Sequence, residues 1–377
     1  MHLSRRRHVL AALFLLLIPA FAVTGLATRS YRAEQQRLAT QWFTLGDERL
    51  KQNRPAEAVE ALRTALSLSR DRGHRLRLAQ ALVAADRRAE ARAHLLTLRE
   101  RTPGDGLINL ELARLETREG NVRDATEYYH AAIAGAWNDA TELRRRESRL
   151  ELTDMLLRTG ATAEAQAELL ALASDLPPEA ASHVRVADLL LRAGDAEHAL
   201  ETYRSALELE PRNASALAGA GEAAFRLRYY LTARRYVASA LSRSPGDERL
   251  IERGAVIDAV LALDPFRRGL SSRERARRAL RARDIVLASL QSCAAAQGVA
   301  LYPEEPTDEP LQRAAGALRA LEPRIRPRTL PREPDLIDEL MDRVFEAEEA
   351  ATVVCGDPEP ADQALALIAR DRQLAER

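Results

Sequence analysis

Alanine, leucine, glutamate and arginine dominate this chain of 377 residues, and only 4% of it is aromatic. That mixture favours helix formers over the β-branched and aromatic residues that fill sheets, and the length exceeds one ordinary globular core, so an all-α, elongated array is expected. The 56 basic and 56 acidic residues cancel, which argues against a general attraction to nucleic acid or to anionic lipid.

The first segment is residues 1–28. Arg5, Arg6, Arg7 and His8 precede an uncharged stretch from Val9 to Ala27. As a helix that stretch would be about 28 Å long, enough to contact a lipid bilayer from one side to the other through residues 9–27. Three arginines before it outnumber Arg29 and Arg32 after it, so the N-terminus is expected to stay in the cytoplasm. The expectation is a single-pass transmembrane helix in the cytoplasmic membrane, with everything beyond residue 28 in the periplasm or outside. Ala20-Phe21-Ala22 and Gly25-Leu26-Ala27 resemble small-x-small cleavage sites, so a cleaved signal segment and a periplasmic protein is the alternative. Residues 29–38 read as the start of a juxtamembrane helix.

Internal periodicity organises residues 39–247. Ala58, Ala91, Ala125, Ala165, Ala199 and Ala233 each follow a turn signal, at spacings of 33, 34, 40, 34 and 34 residues. A period near 34 is the length of a two-helix repeat, here with a six-residue insertion between the third and fourth units. Gly120, Gly160 and Gly194 stand at the turn inside a unit, where a left-handed residue ends a helix, and Pro103, Pro177, Pro211 and Pro245 stop the second helix.

These residues resemble the tetratricopeptide repeat (TPR) family. Trp42, Leu45 and Gly46 match its WxxLG opening, and Ala58, Leu62 and Ala65 match its second helix. Later units keep the small and apolar positions, as in Ala187, Leu190, Gly194, Ala199, Tyr203 and Ala206 of the fifth. Repeats two to five lack the Trp and the first Gly, Thr153 occupies the small position of the fourth, and Trp137 replaces Pro at the end of the third. The resemblance implies a right-handed superhelix of about six helix-turn-helix repeats and a function in protein interaction.

It also implies that first helices line the binding face. The residue after each small position and the one four further on share one side of such a helix. These pairs are Asp47 and Lys51, Gln80 and Ala84, Arg114 and Arg118, Asp154 and Arg158, Asp188 and Arg192, then Glu222 and Arg226. They read either as ordinary i to i+4 pairs supporting exposed helices or as a charged groove for a protein or peptide partner. Arg114 and Arg118 lack an acid at this spacing and are expected to be the most available anion contacts.

Residues 248–377 lose the 34-residue marker but keep helical periodicity, with helices expected near 248–263, 271–297, 311–322, 334–349 and 361–375. A helical capping domain is the expectation, because the end of a repeat array needs a polar-backed cap. Tyr302 to Pro310 and Pro323 to Pro334 read as linkers. Both cysteines, Cys293 and Cys355, fall in this part, and in an exported chain they are candidates for one disulfide, two buried thiols being the alternative.

No phosphate-cradling glycine loop, HExxH, CxxC or GxSxG motif occurs, the seven histidines are dispersed, and Glu348 with Glu349 reads as solvated charge. No cofactor and no metal is expected. The combined reading is a non-catalytic, membrane-tethered interaction scaffold. A structural subunit of an envelope assembly or polysaccharide-export complex, and an enzyme with its site in residues 248–377, are the alternatives.

Overall fold

The computed structural model describes the backbone of residues 2–304, 308–356 and 358–375, and side chains from residue 23 to residue 374 within those ranges. Among the described residues the chain is helical, with an isolated bridge between Asp105 and Ala136 and no strand. It divides into two compact units, Met1–Leu172 and Ala173–Arg377.

The first unit is a run of antiparallel hairpins. These are α1 (His2–Lys51) with α2 (Pro55–Leu68), α3 (Arg72–Ala84) with α4 (Arg88–Arg101), and α5 (Gly106–Glu119) with α6 (Val122–Ala134). The fourth pair is α7 (Thr141–Arg158) and α8 (Thr162–Ala173), the last ending at the unit boundary. Local chemistry sets the ends. The Asp71 carboxylate accepts the amides of Gly73 and His74 at the start of α3, and Asp105 accepts that of Ile108 at the start of α5. The marker alanines Ala58, Ala91, Ala125 and Ala165 are fully buried, since only a methyl side chain lets the paired helices approach.

Helix α1 is 50 residues long, against 13 for α3. Its first buried residue among those with described side chains is Ala39, and nothing from Val23 to Arg37 is buried. The segment read as juxtamembrane, residues 29–38, is therefore helical and continuous with the first repeat. Among the described residues no helix is long and apolar enough to cross a membrane. The expected anchor, Val9–Ala27, rests on side chains that lie outside the described ones as far as Ala22.

The turn inside each hairpin takes a left-handed residue. Gly120, Gly160 and Gly194 have φ of 78°, 78° and 82°, but Asn53, Asp86 and Arg228 hold the same turn in the other hairpins at 57°, 58° and 62°. Asn and Asp tolerate that region through local hydrogen bonding, whereas a long side chain is strained there. Arg228 recovers something in exchange: its Nε lies 3.3 Å from the carboxylate of Asp371 far along the chain.

The six-residue insertion folds back on the preceding turn. Gly106 N donates to Ala136 O at 2.9 Å and Ala136 N to Gly104 O at 2.8 Å. Trp137, where a proline was expected, packs over Gly106 and donates its indole N–H to Ala132 O at 3.1 Å.

In the second unit α9 (Ala180–Arg192) pairs with α10 (Ala196–Leu209), and α11 (Ala214–Arg226) with α12 (Tyr230–Leu241). Next come α13 (Glu248–Leu263), α14 (Ser272–Gln297), α15 (Pro310–Leu321), a short 3-10 turn at Leu330–Arg332, α16 (Pro334–Cys355) and α17 (Pro360–Ala375). Helix α13 packs on both α12 and α17, while α14 and α15 pack on α16. One core runs from Val260 to Ile368. The stretch read as a linker between Pro323 and Pro334 belongs to that core, with Leu330 fully buried. Cys293 and Cys355 are joined in a disulfide with Cα atoms 5.9 Å apart, tying α14 to the end of α16.

Of the adjacent glutamates, Glu349 is exposed but Glu348 is 6% exposed, which corrects its reading as solvated charge. Successive helix residues point to different faces, and here the second face is core. Burial pushes the Glu348 carboxyl above its usual range, opposed by the Thr352 hydroxyl that donates to it at 2.9 Å. A raised folded-state value means the unfolded chain releases its proton first, so this contribution is present in acid and is lost as pH rises. Glu348→Gln, which keeps an acceptor for Thr352, is expected to melt above wild type near pH 7. The two melting temperatures should converge as pH falls below the ordinary glutamate range; a constant offset in a pH series of thermal melts would refute the account.

Candidate functional site: the face of the first helices

In the first unit Asp47, Gln80 and Arg114 do not stay within separate pairs on their own helices. They join a ladder that crosses from each first helix to the next. Asp47 is 2.7 Å from Lys51 on its own helix and also accepts from Arg77 on α3, and these cations hold the carboxyl below its usual range. Arg77 also donates to Gln80 at 2.9 Å, and Gln80 donates to Glu111 on α5 at 2.9 Å. Arg114 then makes a two-pronged pair with Glu151 on α7, at 2.8 and 2.6 Å.

That last pair is a correction. Arg114, expected to be an available anion contact, is occupied by a carboxylate from the next repeat, which raises its pKa further. Arg118 stays exposed and has no ion pair among the described residues. Asp154 and Arg158 make the expected contact within α7, 3.0 Å apart and exposed, worth about 0.3–0.5 kcal/mol.

One rule accounts for the ladder. The residue just after the small position of one repeat meets the residue two before the small position of the next: Asp47 with Arg77, Gln80 with Glu111, Arg114 with Glu151. Glu111, Glu151 and Arg77 were missed because the i to i+4 test looks along one helix, and these partners lie 30 to 37 residues away. A search for complementary charge at one repeat's remove would have found them.

In the second unit the ladder has a gap. The position that should answer Asp188 is Gly219, which has no side chain, and the ring of Tyr203 lies over it; a Cβ there would sit 2.2 Å from Cζ of that ring. The Tyr203 hydroxyl reaches through and donates to Asp188. Burial, then the Asp188 carboxylate, raises the Tyr203 pKa, so the phenol remains a neutral donor.

Around this gap the first helices α9, α11 and α13 enclose a groove of about 350 Å³. On one side Arg226 pairs with Glu222 at 3.0 Å and donates to Leu191 O at 2.8 Å, closing off a carbonyl at the negative end of α9. Glu222 also receives Arg253 of α13 at 3.0 Å, and the Arg253 guanidinium stacks 4.1 Å from the centre of the Phe225 ring. On the other side Asp247 caps α13, accepting the amides of Arg249 and Leu250. Arg249 itself lines the groove, exposed, with no ion pair among the described residues. Of the predicted residues, Asp188, Glu222 and Arg226 therefore come together here, and Arg192 on α9 is engaged in a polar contact too. Tyr203, Arg249 and Arg253 were missed.

Among the described residues no three metal-ligating side chains converge. The groove holds donors and acceptors already committed to one another, plus one open cation, which suits recognition.

A profile of the tetratricopeptide repeat matches residues 43–106, 76–140 and 185–248. The chain carries tetratricopeptide repeats. The third match spans α9 to the start of α13, the segment that frames the TPR groove. No curated protein matches the chain. Among solved structures it is similar to PilW, a type IV pilus biogenesis factor, at 17% identity over 56% of this chain and 96% of that one, with a TM-score of 0.39. It is similar also to YrrB, a TPR protein with an unusual peptide-binding site, at 17% identity over 51% and 96%, TM-score 0.39. A third is the C-terminal part of a TPR protein from Cytophaga hutchinsonii, at 14% identity over 59% and 86%, TM-score 0.45.

Proposed function

We propose that this TPR chain is a non-catalytic scaffold that captures an extended protein segment in the α9–α11–α13 groove. The observation that carries the reading is the break in the ladder at Gly219, where the groove opens beside Arg249. Asp47, Arg77, Gln80, Glu111, Arg114 and Glu151 of the ladder are each answered by a neighbour, so a partner there would have to displace an existing contact. At the gap it would not. Arg249 would take an acidic side chain or carboxylate of the partner, with Asp188 and Glu222 setting its register.

The scaffold is proposed to be tethered to the cytoplasmic membrane with its repeats on the extracytoplasmic side. The support is in the sequence: three arginines before an uncharged nineteen-residue stretch. The unbroken α1, with no buried residue from Val23 to Arg37, would then hold the first repeat off the bilayer on a helical stalk.

Cross-linked capture from membranes tests both parts. Arg249→Glu is expected to weaken partner capture about tenfold or more, the worth of one charge-assisted contact turned repulsive, while Arg118→Glu, outside the groove, should leave capture unchanged. Equal recoveries with Arg249→Glu and wild type would end the groove assignment. Release of the intact chain by alkaline carbonate, or protease protection of the repeats in intact spheroplasts, would end the tether.

A further inference from the structure

A second cavity lies away from the repeats, in the C-terminal part of the second unit. It has a volume of about 580 Å³ and sits between α14, the end of α16 and the start of α17, with Cys293 and Cys355 in its wall. Ile285, Ala288 and Ala361 line it with apolar surface, and Ser289, Thr352 and Asp362 present polar groups to it.

Asp362 is the unexplained residue. It is 8% exposed. Its Oδ2 accepts the Glu359 amide at 3.2 Å, but its Oδ1 is buried with no hydrogen-bond partner. Leaving a buried carboxylate oxygen unmade costs the desolvation of a charged acceptor, so folded proteins rarely retain one without a protein group, a water or a ligand to meet it. The Ser289 hydroxyl beside it favours the charged carboxylate, but no cation of the protein answers it. The charge acting on Asp362 is that of Glu359, and those acting on the neighbouring Glu348 are Asp362 and Glu349, all of them acids. A cleft with a free buried carboxylate oxygen, further acids behind it and an apolar wall is complementary to a cation with a hydrocarbon body. A bare metal ion fits less well, because it needs several converging ligands and gains nothing from Ile285 and the alanines.

We propose that this cleft is a binding site for a small organic ammonium ion, its charged head on Asp362 Oδ1 and its apolar body against Ile285, Ala288 and Ala361. The site is independent of the repeat groove. Ligand entry would replace the missing hydrogen bond with a charge-assisted one and remove the repulsion among the acids.

The test uses the full chain, oxidised, with benzylammonium chloride as probe and benzyl alcohol and calcium chloride as controls, read by thermal melts and ligand-observed NMR. Benzylammonium should bind saturably and raise the melting temperature by about 3 °C at ten times its dissociation constant. Neither control should do so. Asp362→Asn, which keeps the shape and removes the charge, should abolish the response, as should Ala288→Trp, a change at an exposed position that fills the cleft. Equal shifts from benzyl alcohol or calcium, an unchanged response in folded Asp362→Asn, or the absence of saturable benzylammonium binding would each overturn the proposal.

Discussion

Reduction of the Cys293–Cys355 bond is expected to destabilise the Ala173–Arg377 unit by about 4 kcal/mol, the chain-entropy worth of closing a loop of that length. The two cysteines are 62 residues apart, and the loop between them contains all of α15 and most of α16. Those helices supply Leu311, Leu318, Leu336, Leu340 and Val344 to the core, so the bond shortens the search for contacts of long sequence separation. Both sulfurs are reached from the same cavity wall, and Cys355 is exposed while Cys293 is buried. Urea titrations with and without reductant, and of the double variant Cys293→Ala/Cys355→Ala, should show the second unit's midpoint falling while that of the first stays in place. Coincident midpoints would show that native packing alone holds α14 to α16.

The second large effect lies in the first unit, where Glu116 on α5 is 4% exposed. Arg92 of α4 grips both its oxygens at 2.7 Å, and Asn121 donates to it at 2.7 Å. Arg92 also reaches Glu119, and these acids raise its pKa further, Glu116 first. Removing one partner of a buried ion pair leaves an unanswered charge, at a cost of about 3–5 kcal/mol. Arg92→Met is therefore expected to lose about that much, whereas Arg92→Met combined with Glu116→Leu should recover most of it, because the stranded charge is gone. A double-mutant cycle by chemical denaturation measures this. A double variant no more stable than Arg92→Met would mean that the loss comes from packing and not from the stranded carboxylate.

Arg92–Glu116 and the Arg77–Asp47 contact show where sequence reasoning stopped. The repeat, its marker alanines, the helices of the C-terminal part and the turn glycines were legible, because each depends on residues close together in one chain segment. The occupancy of Arg114 was not, since its answer stands 37 residues away on another helix. The burial of Glu348 was missed for a related reason: a carboxylate beside a carboxylate looks solvated until the core that covers one of them is known. Arg228 escaped notice because a left-handed turn normally announces itself by Gly, Asn or Asp, and here Asp371 at the far end of the chain offsets the strain.

By itself the sequence determined the helical repeat: small residues every 34 or so positions can only serve helices that pack closely, and the period sets the hairpin. It also put both cysteines in the same non-repeat third. What tertiary structure decided was which charges remain available. Stacking the first helices brings one repeat's face residue against a position two before the small residue of the next, and that offset is a property of packing. Only with that offset known does Gly219 become a missing rung, the place where Tyr203 reaches Asp188 and Arg249 is left facing solvent.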